Sequence, residues 1–305
     1  MKSIATGHFP RLIRDHNKTW LFNPVLKKRF ANRPEERVRL KWVEYLIHQT
    51  EWSKSRIGFE APVTLHRDGS TLRADLVLYT QNMKPHILVE CKSGSVSLTP
   101  AVAEQAARYN SRVKAQYLVL TNGVQDYWFE QKEGSIKPAA PPFEVAEVLQ
   151  NIYESENYWT NRGFYSSRSS PEVQTRLKKV LPAFWKNNSQ EIRFLDFKES
   201  FLPFPMNHFY RIVSSDDEIK MAAGFLGAPE SGSFLVGIMN RKGMNEGVVV
   251  VNLDDLEAGK RKSVTLFEGK KARQTDISRV SPDFIFEPDP GAIENLPLFL
   301  MRFFD

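Results

Sequence analysis

Two side chains of opposite charge, Glu90 and Lys92, flank a single residue at the end of the apolar run "HILVECK". In a β-strand, side chains two apart point the same way. Glu90 and Lys92 therefore emerge together, while Cys91 faces the other side with Val89. A further carboxylate, Asp75, lies 15 residues earlier inside a second strand-like run, "LRADLVLY". If those strands pair, two carboxylates and an ammonium converge at one edge of a sheet. Two carboxylates with positions left for water make a hard-oxygen site, which suits Mg2+, with Mn2+ as a substitute. Such an ion lowers the pKa of bound water and stabilises charge on a phosphoryl oxygen. Lys92 adds a point charge beside the attacking water or the scissile phosphate. That is what phosphodiester hydrolysis needs. A lone Glu-x-Lys is more often an ion pair. What points to a site is its conjunction with Asp75, and with Gln105 and Tyr109 four apart on one face of the next helix.

The elements that must position these groups are readable from periodicity. "RPEERVRLKWVEYLIHQ" (33–49) reads as a helix, with Pro34 in its first turn and Glu35 and Glu36 at the positive end of its dipole. Val38, Trp42, Val43, Leu46 and Ile47 form its apolar stripe. Strands follow at 59–66, 72–79 and 86–92, with "HRDGST" as a hairpin turn between the first two. A helix over 98–113, opened by Thr99 as cap and Pro100, leads to strands at 116–123 and 126–131. The order α-β-β-β-α-β-β implies an α/β mixed sheet flanked by helices. A helix over 143–159 closes this half.

Length, charge and cysteine usage bound the rest. At 305 residues the chain is long enough for two domains. The net charge is +6, and residues 1–60 hold 13 Lys plus Arg against 6 Asp plus Glu, so an anionic partner is expected. A single cysteine excludes an internal disulfide and suits a reducing compartment. No apolar run approaches the ~18 residues that span a bilayer, and the N-terminus lacks the apolar core of a secretion signal. The expected location is the cytoplasm, with no membrane partner. There is no His-rich zinc spacing, no GxSxG elbow and no GxGxxG loop.

In order, "PEERVR", "LRADLVLY", "PHILVECKSGS", "EQAARYN" and "YLVLTNG" resemble the PD-(D/E)xK nuclease superfamily. More narrowly, residues 30–135 resemble the N-terminal nuclease domain of type I restriction enzyme R subunits. The resemblance implies a restriction-endonuclease-like fold acting on DNA, in the restriction of foreign DNA. Asp75 and Glu90 would be metal ligands, Lys92 the catalytic lysine, and the carbonyl of Cys91 a further ligand. Gln105 and Tyr109 would orient the site and contact nucleic acid. Glu36 stands where a further acidic residue is found in the family; a helix-dipole role is the other reading. An R subunit continues into an ATP-driven motor, yet this sequence carries no GxxxxGK[ST] phosphate loop, so no ATP site is expected.

The domains expected are residues 1–160 (nuclease), a Ser-, Gly- and Arg-rich linker at 161–171, and an α+β domain at 172–305. In the last, we expect a helix near 172–186, a strand at 191–200, a helix over 215–227 and strands at 233–240 and 247–252. The run 194–251 resembles a Schlafen AlbA-type domain, with Asp196 and Lys198 at its strand motif and Glu191 upstream. That resemblance implies grip on nucleic acid or on a protein partner. Two other functions fit the sequence: a non-catalytic DNA-binding module that keeps the nuclease fold, and an RNA-acting protein that uses the C-terminal domain.

Overall fold

The structure is a computed structural model. It describes residues 1–15, 18–64, 71–132, 134–143, 153, 155–186, 191–197, 201–214, 218–277 and 282–304. At 62–64, 71, 72, 105, 109, 156, 186, 214 and 282 it describes the backbone alone. The chain forms two compact units, Met1–Leu149 and Gln150–Asp305. Among the described residues no helix is long and apolar enough to cross a membrane.

The first unit opens with strands not expected from the sequence: β1 (Arg11–Asp15), β2 (Lys18–Asn23) and β3 (Lys28–Ala31) form a small antiparallel sheet. Asn23 makes the turn after β2, because its Oδ1 accepts the N–H groups of Val25 and Leu26 at 2.9 and 3.0 Å. Helix α1 (Pro34–Gln49) follows, starting on Pro34 as expected. The principal sheet has six strands in chain order: β4 (Ile57–Thr64), β5 (Thr71–Tyr79), β6 (Pro85–Cys91), β7 (Tyr117–Thr121), β8 (Asp126–Lys132) and β9 (Ser135–Pro138). Only β6 and β7 are parallel, and α2 (Pro100–Val113) makes the crossover between them. The sheet is therefore mixed and flanked by helices, as the element order implied. Thr99 sits at the cap of α2, but its side chain makes no capping hydrogen bond; its carbonyl accepts Val102 and Ala103 instead. The turn at 65–70 lies outside the described residues, as does the expected helix over 143–159 for most of its length.

Each face of this sheet has its own core. Val38, Trp42, Val43 and Leu46 of α1 pack with Leu76, Leu78, Val89 and Cys91. Val77, Leu88 and Leu118 pack on the other side with Ala106 of α2. Val89 and Cys91 thus face one way and Leu88 the other, which is the alternation that pairs Glu90 with Lys92.

In the second unit, α3 (Glu156–Thr160) and α4 (Pro171–Lys186) precede a seven-stranded antiparallel meander. Its strands are β10 (Glu191–Leu195), β11 (His208–Ser214), β12 (Ile219–Ala228), β13 (Gly232–Arg241), β14 (Met244–Asn252), β15 (Val264–Glu268) and β16 (Lys271–Thr275). Short α5 (Leu253–Glu257), α6 (Pro282–Phe286) and α7 (Pro290–Met301) complete it. Two expectations need correction. Of the helix expected over 215–227, residues 215–217 lie outside the described residues, and "IKMAAGFLGA" is no helix but the long strand β12, paired on both sides and buried from Met221 onward. A run buried on both faces has no polar period by which to tell strand from helix. Nor is 161–171 a linker: Phe164 and Tyr165 are buried, and Gly163 accepts the N–H of Gly227 at 2.8 Å. A Cβ at Gly227 would lie 2.2 Å from the Tyr165 carbonyl carbon, so only glycine lets this segment cross the strand. Its serines bind inward, with Ser169 Oγ and the Ser170 N–H both on the Asp254 carboxylate.

At the start of β8, Asp126 is buried and accepts the Ile4 N–H at 2.8 Å. Burial pushes its pKa up to about 6, against hydrogen bonds from Thr121, Ile4 and Ser3. A raised folded-state pKa means that the native protein binds the extra proton, so stability falls as pH rises between about 4 and 6. The full effect is about 3 kcal/mol. Asp126→Asn keeps an acceptor for Ile4 without the charge. Thermal melts from pH 4 to pH 8 should show the variant gaining on the parent as pH rises, with the gain complete above pH 7. A gap that is constant, or that widens toward low pH, would show that this charge carries no such cost.

Candidate active site

Midway along β5, where its pairing with β6 ends, one guanidinium gathers three carboxylates. Arg39, on the first turns of α1, is buried and binds Asp75 Oδ1 at 2.5 Å through one nitrogen. Its other terminal nitrogen binds Glu36 Oε2 at 2.9 Å and Glu60 Oε1 at 3.3 Å. Burial opposes the charge on Arg39, but Asp75, Glu36 and Glu60 outweigh it and raise its pKa. Glu36 is pushed up to about 7 by burial, with Arg39 opposing. Its Oε1 is buried with no hydrogen-bond partner among the described residues.

The backbone bends to allow this. Glu60 stands opposite Asp75 in the β4–β5 pair and has φ of +48°, a left-handed conformation that costs a non-glycine residue about 1–2 kcal/mol. The in-out alternation breaks there. Phe59 and Leu76 belong to the core against α1, whereas Ala61 and Ala74 belong to the core against α2. Strain of this kind is found where a side chain must be re-aimed.

Asp75 is also anchored from the neighbouring strand, since its Oδ2 accepts the Cys91 N–H at 2.7 Å. Lys92 Nζ donates to Glu90 Oε1 at 2.8 Å. Glu90 is buried, and its pKa is raised by burial first and then by the charge of Asp75. The pKa of Asp75 is raised by burial, against Arg39, the Cys91 N–H and Lys92. For Lys92, burial disfavours the charge, but Glu90 and Asp75 prevail and raise its pKa. The structure therefore brings Asp75, Glu90 and Lys92 together. Lys92 is fixed by its own N–H, which donates to the Thr121 carbonyl on β7 at 2.8 Å. Thr121 is held in turn by Trp42 Nε1, which donates to its hydroxyl at 3.2 Å. The Cys91 thiol is buried on the α1 side, and burial drives its pKa well above the ordinary value, which disfavours the thiolate.

Gln105 and Tyr109 lie on α2, but their side chains are outside the described residues. Lys198 is outside them as well. Glu191 is spent on an exposed ion pair with Arg193 at 2.7 Å, and Asp196 is exposed just past β10. The helix that the AlbA-like pattern requires is the strand β12. Among the described residues no three or more His, Cys, Asp or Glu side chains are grouped to hold a metal ion. Sequence reasoning missed Arg39 and Glu60. The i, i+3 spacing of Glu36 and Arg39 was the available signal for the first; nothing local marks Glu60.

Removing Arg39 leaves Glu36 and Asp75 buried without their cation. Losing one member of a buried ion network typically costs 3–5 kcal/mol. Arg39→Met should destabilise the first unit by about that amount in metal-free urea denaturation. Adding Glu36→Gln should restore part of it. A loss under about 1 kcal/mol, with no recovery in the double variant, would show that the network is not structural.

Neither a curated protein nor a solved structure matches this chain. Residues 34–139, which span α1 and the whole six-stranded sheet, match the family described as Type I restriction enzyme R protein N terminus.

Proposed function

We propose that the first unit is a divalent-metal-dependent nuclease that hydrolyses DNA phosphodiester bonds, acting in the cytoplasm in the restriction of foreign DNA. The observation that carries this reading is the convergence of Asp75, in the middle of β5, with Glu90 and Lys92 at the end of β6. It occurs inside the segment that matches the N terminus of type I restriction enzyme R proteins. The family name also makes DNA and protein subunits the partners to test, the latter with the second unit as their docking point.

The residues fit a hard cation. All their donors are oxygens, Glu36 Oε1 is orphaned in a buried position among the described residues, and the charge of Asp75 raises the cost of ionising Glu90. Among the described residues each Asp75 oxygen accepts one hydrogen bond, which leaves a lone pair for a cation. Asp75, Glu90 and the Cys91 carbonyl would hold Mg2+ or Mn2+, which when bound supplies an acidified water and charge neutralisation at the phosphoryl group. The protein does the positioning. The Cys91 N–H holds Asp75 in place, and Glu90 holds the Lys92 ammonium toward the site. Lys92 sets a positive charge where phosphate oxygens gain negative charge. Arg39 lowers the repulsion that Glu36 and Asp75 would otherwise present to a phosphodiester. Gln105 and Tyr109, on the crossover helix that follows β6, are the residues we assign to nucleic-acid contact.

Purified protein incubated with plasmid, linear duplex DNA and RNA, with Mg2+, Mn2+ or chelator, tests the reading. DNA should be cut only with a divalent cation. Asp75→Asn, Glu90→Gln and Lys92→Ala should each lose about 10²-fold or more in rate while remaining folded. Elemental analysis should find no retained zinc. Full activity in both Glu90→Gln and Lys92→Ala would refute the site. Metal-independent DNA binding without cleavage would favour a binding module, to which the guanidinium seated on Asp75 is equally suited.

A further inference from the structure

The second unit carries its own concentration of positive charge, remote in sequence from the matched segment. From Gly259 to Thr275 the chain has six Lys or Arg (260, 261, 262, 270, 271 and 273) and one acidic residue, Glu268. All six cations are exposed. Two are partly neutralised on the surface, Lys260 by Asp255 at 2.7 Å and Arg273 by Glu268 at 3.4 Å. Arg261, Lys262, Lys270 and Lys271 have no ion-pair partner among the described residues.

Topology arranges these charges in a line. Among the described residues, β16 is the last strand of its sheet, paired only with β15. Lys270 and Lys271 lie at its hairpin end, and Arg273 projects from the same side as Lys271. At the other end, the Arg261 carbonyl accepts the Ile277 N–H at 3.2 Å, which lays the 260–262 loop beside the strand's exit. From residue 271 to residue 277 is roughly 20 Å at strand rise. Lys271 and Arg273 are about 6.6 Å apart along the strand, close to two base steps of 3.4 Å on a nucleic-acid strand.

Lysine on an edge strand also deters pairing with other sheets, which is sufficient reason for Lys271 alone. It does not explain Lys260, Arg261 and Lys262, which are outside any strand. A membrane surface fits poorly, because β16 exposes Ala272 and Gln274 beside its cations and no large apolar side chain to insert. We propose that the 260–262 loop and the β15–β16 hairpin form a nucleic-acid-binding surface that grips the sugar-phosphate backbone without reading sequence. This surface would be a second contact, separate from the residues proposed for cleavage.

The test measures binding of the full chain to a fluorescent duplex in chelator, at several salt concentrations, so that no cleavage occurs. The result then does not depend on whether Asp75, Glu90 and Lys92 are catalytic. The test variant carries Arg261→Gln, Lys262→Gln, Lys270→Gln and Lys271→Gln. A control of equal charge change carries Lys84→Gln, Lys114→Gln, Lys132→Gln and Lys137→Gln, all at exposed positions of the first unit outside its basic first 60 residues. Unchanged melting curves establish that both remain folded. Each lost phosphate contact flattens the log–log salt dependence by about 0.9 on duplex DNA. The test variant should lose about 2 to 4 in slope and at least tenfold in affinity at low salt, and should lose more than the control. Parallel titrations with single-stranded RNA, an acidic peptide and anionic vesicles complete the comparison. An unchanged slope, an equal loss in the control, or a loss confined to peptide or vesicles would each overturn the proposal.

Discussion

The Arg39 guanidinium among Glu36, Glu60 and Asp75 is the interaction on which the architecture of the first unit's site depends. Three acidic side chains from three elements cannot share a buried corner without a cation, because each unpaired charge would cost several kcal/mol. Arginine suits the position, since its planar fork serves two directions at once and stays charged when buried. It ties the start of α1 to β4 and β5, and so sets where the helix lies along the sheet. The strained backbone at Glu60 is intelligible in these terms: the turned carboxylate completes the network.

A second constraint comes from the parallel pairing of β6 and β7 through α2. The residue after Cys91 continues the pairing, since the Lys92 N–H reaches the Thr121 carbonyl. Thr121 is a junction. Its hydroxyl accepts Trp42 from α1 and the N–H of Gly123, and it supports Asp126. Lys92 thereby stands on a rigid base although its side chain is at the sheet's edge, which is how positioned charge differs from a loose surface lysine.

The second unit follows another logic. Its meander keeps neighbours in sequence as neighbours in space, and its central strands are apolar on both faces because helices cover one side and the 201–206 segment packs on the other. The Schlafen-like pattern read a helix into β12, and the error is instructive. "IKMAAGFLGA" has helix-compatible residues and an apolar content that fits either element. What decides it is pairing with β11 and β13, together with the close passage of Tyr165 over Gly227.

The sequence alone determined α1, α2 and the strands β4 to β8 of the first unit, and which charged side chains share a face of them. Period-two alternation placed Glu90 with Lys92 and Val89 with Cys91, and helical spacing with Pro34 and Pro100 located α1 and α2. These are local properties, fixed by backbone geometry within a few residues. The three-stranded sheet was illegible because its strands are short and half exposed, with no clean alternation. The ordered strap at 161–170 was read as a linker because its serines bind Ser233 and Asp254, more than 60 residues away. Arg39 and Glu60 became site residues only in three dimensions, because Arg39 meets Glu60 and Asp75 across 21 and 36 positions of chain, a meeting no local pattern encodes. Tertiary structure decided which carboxylates share a cation, and the desolvation of that corner is what gives the sharing its energetic weight.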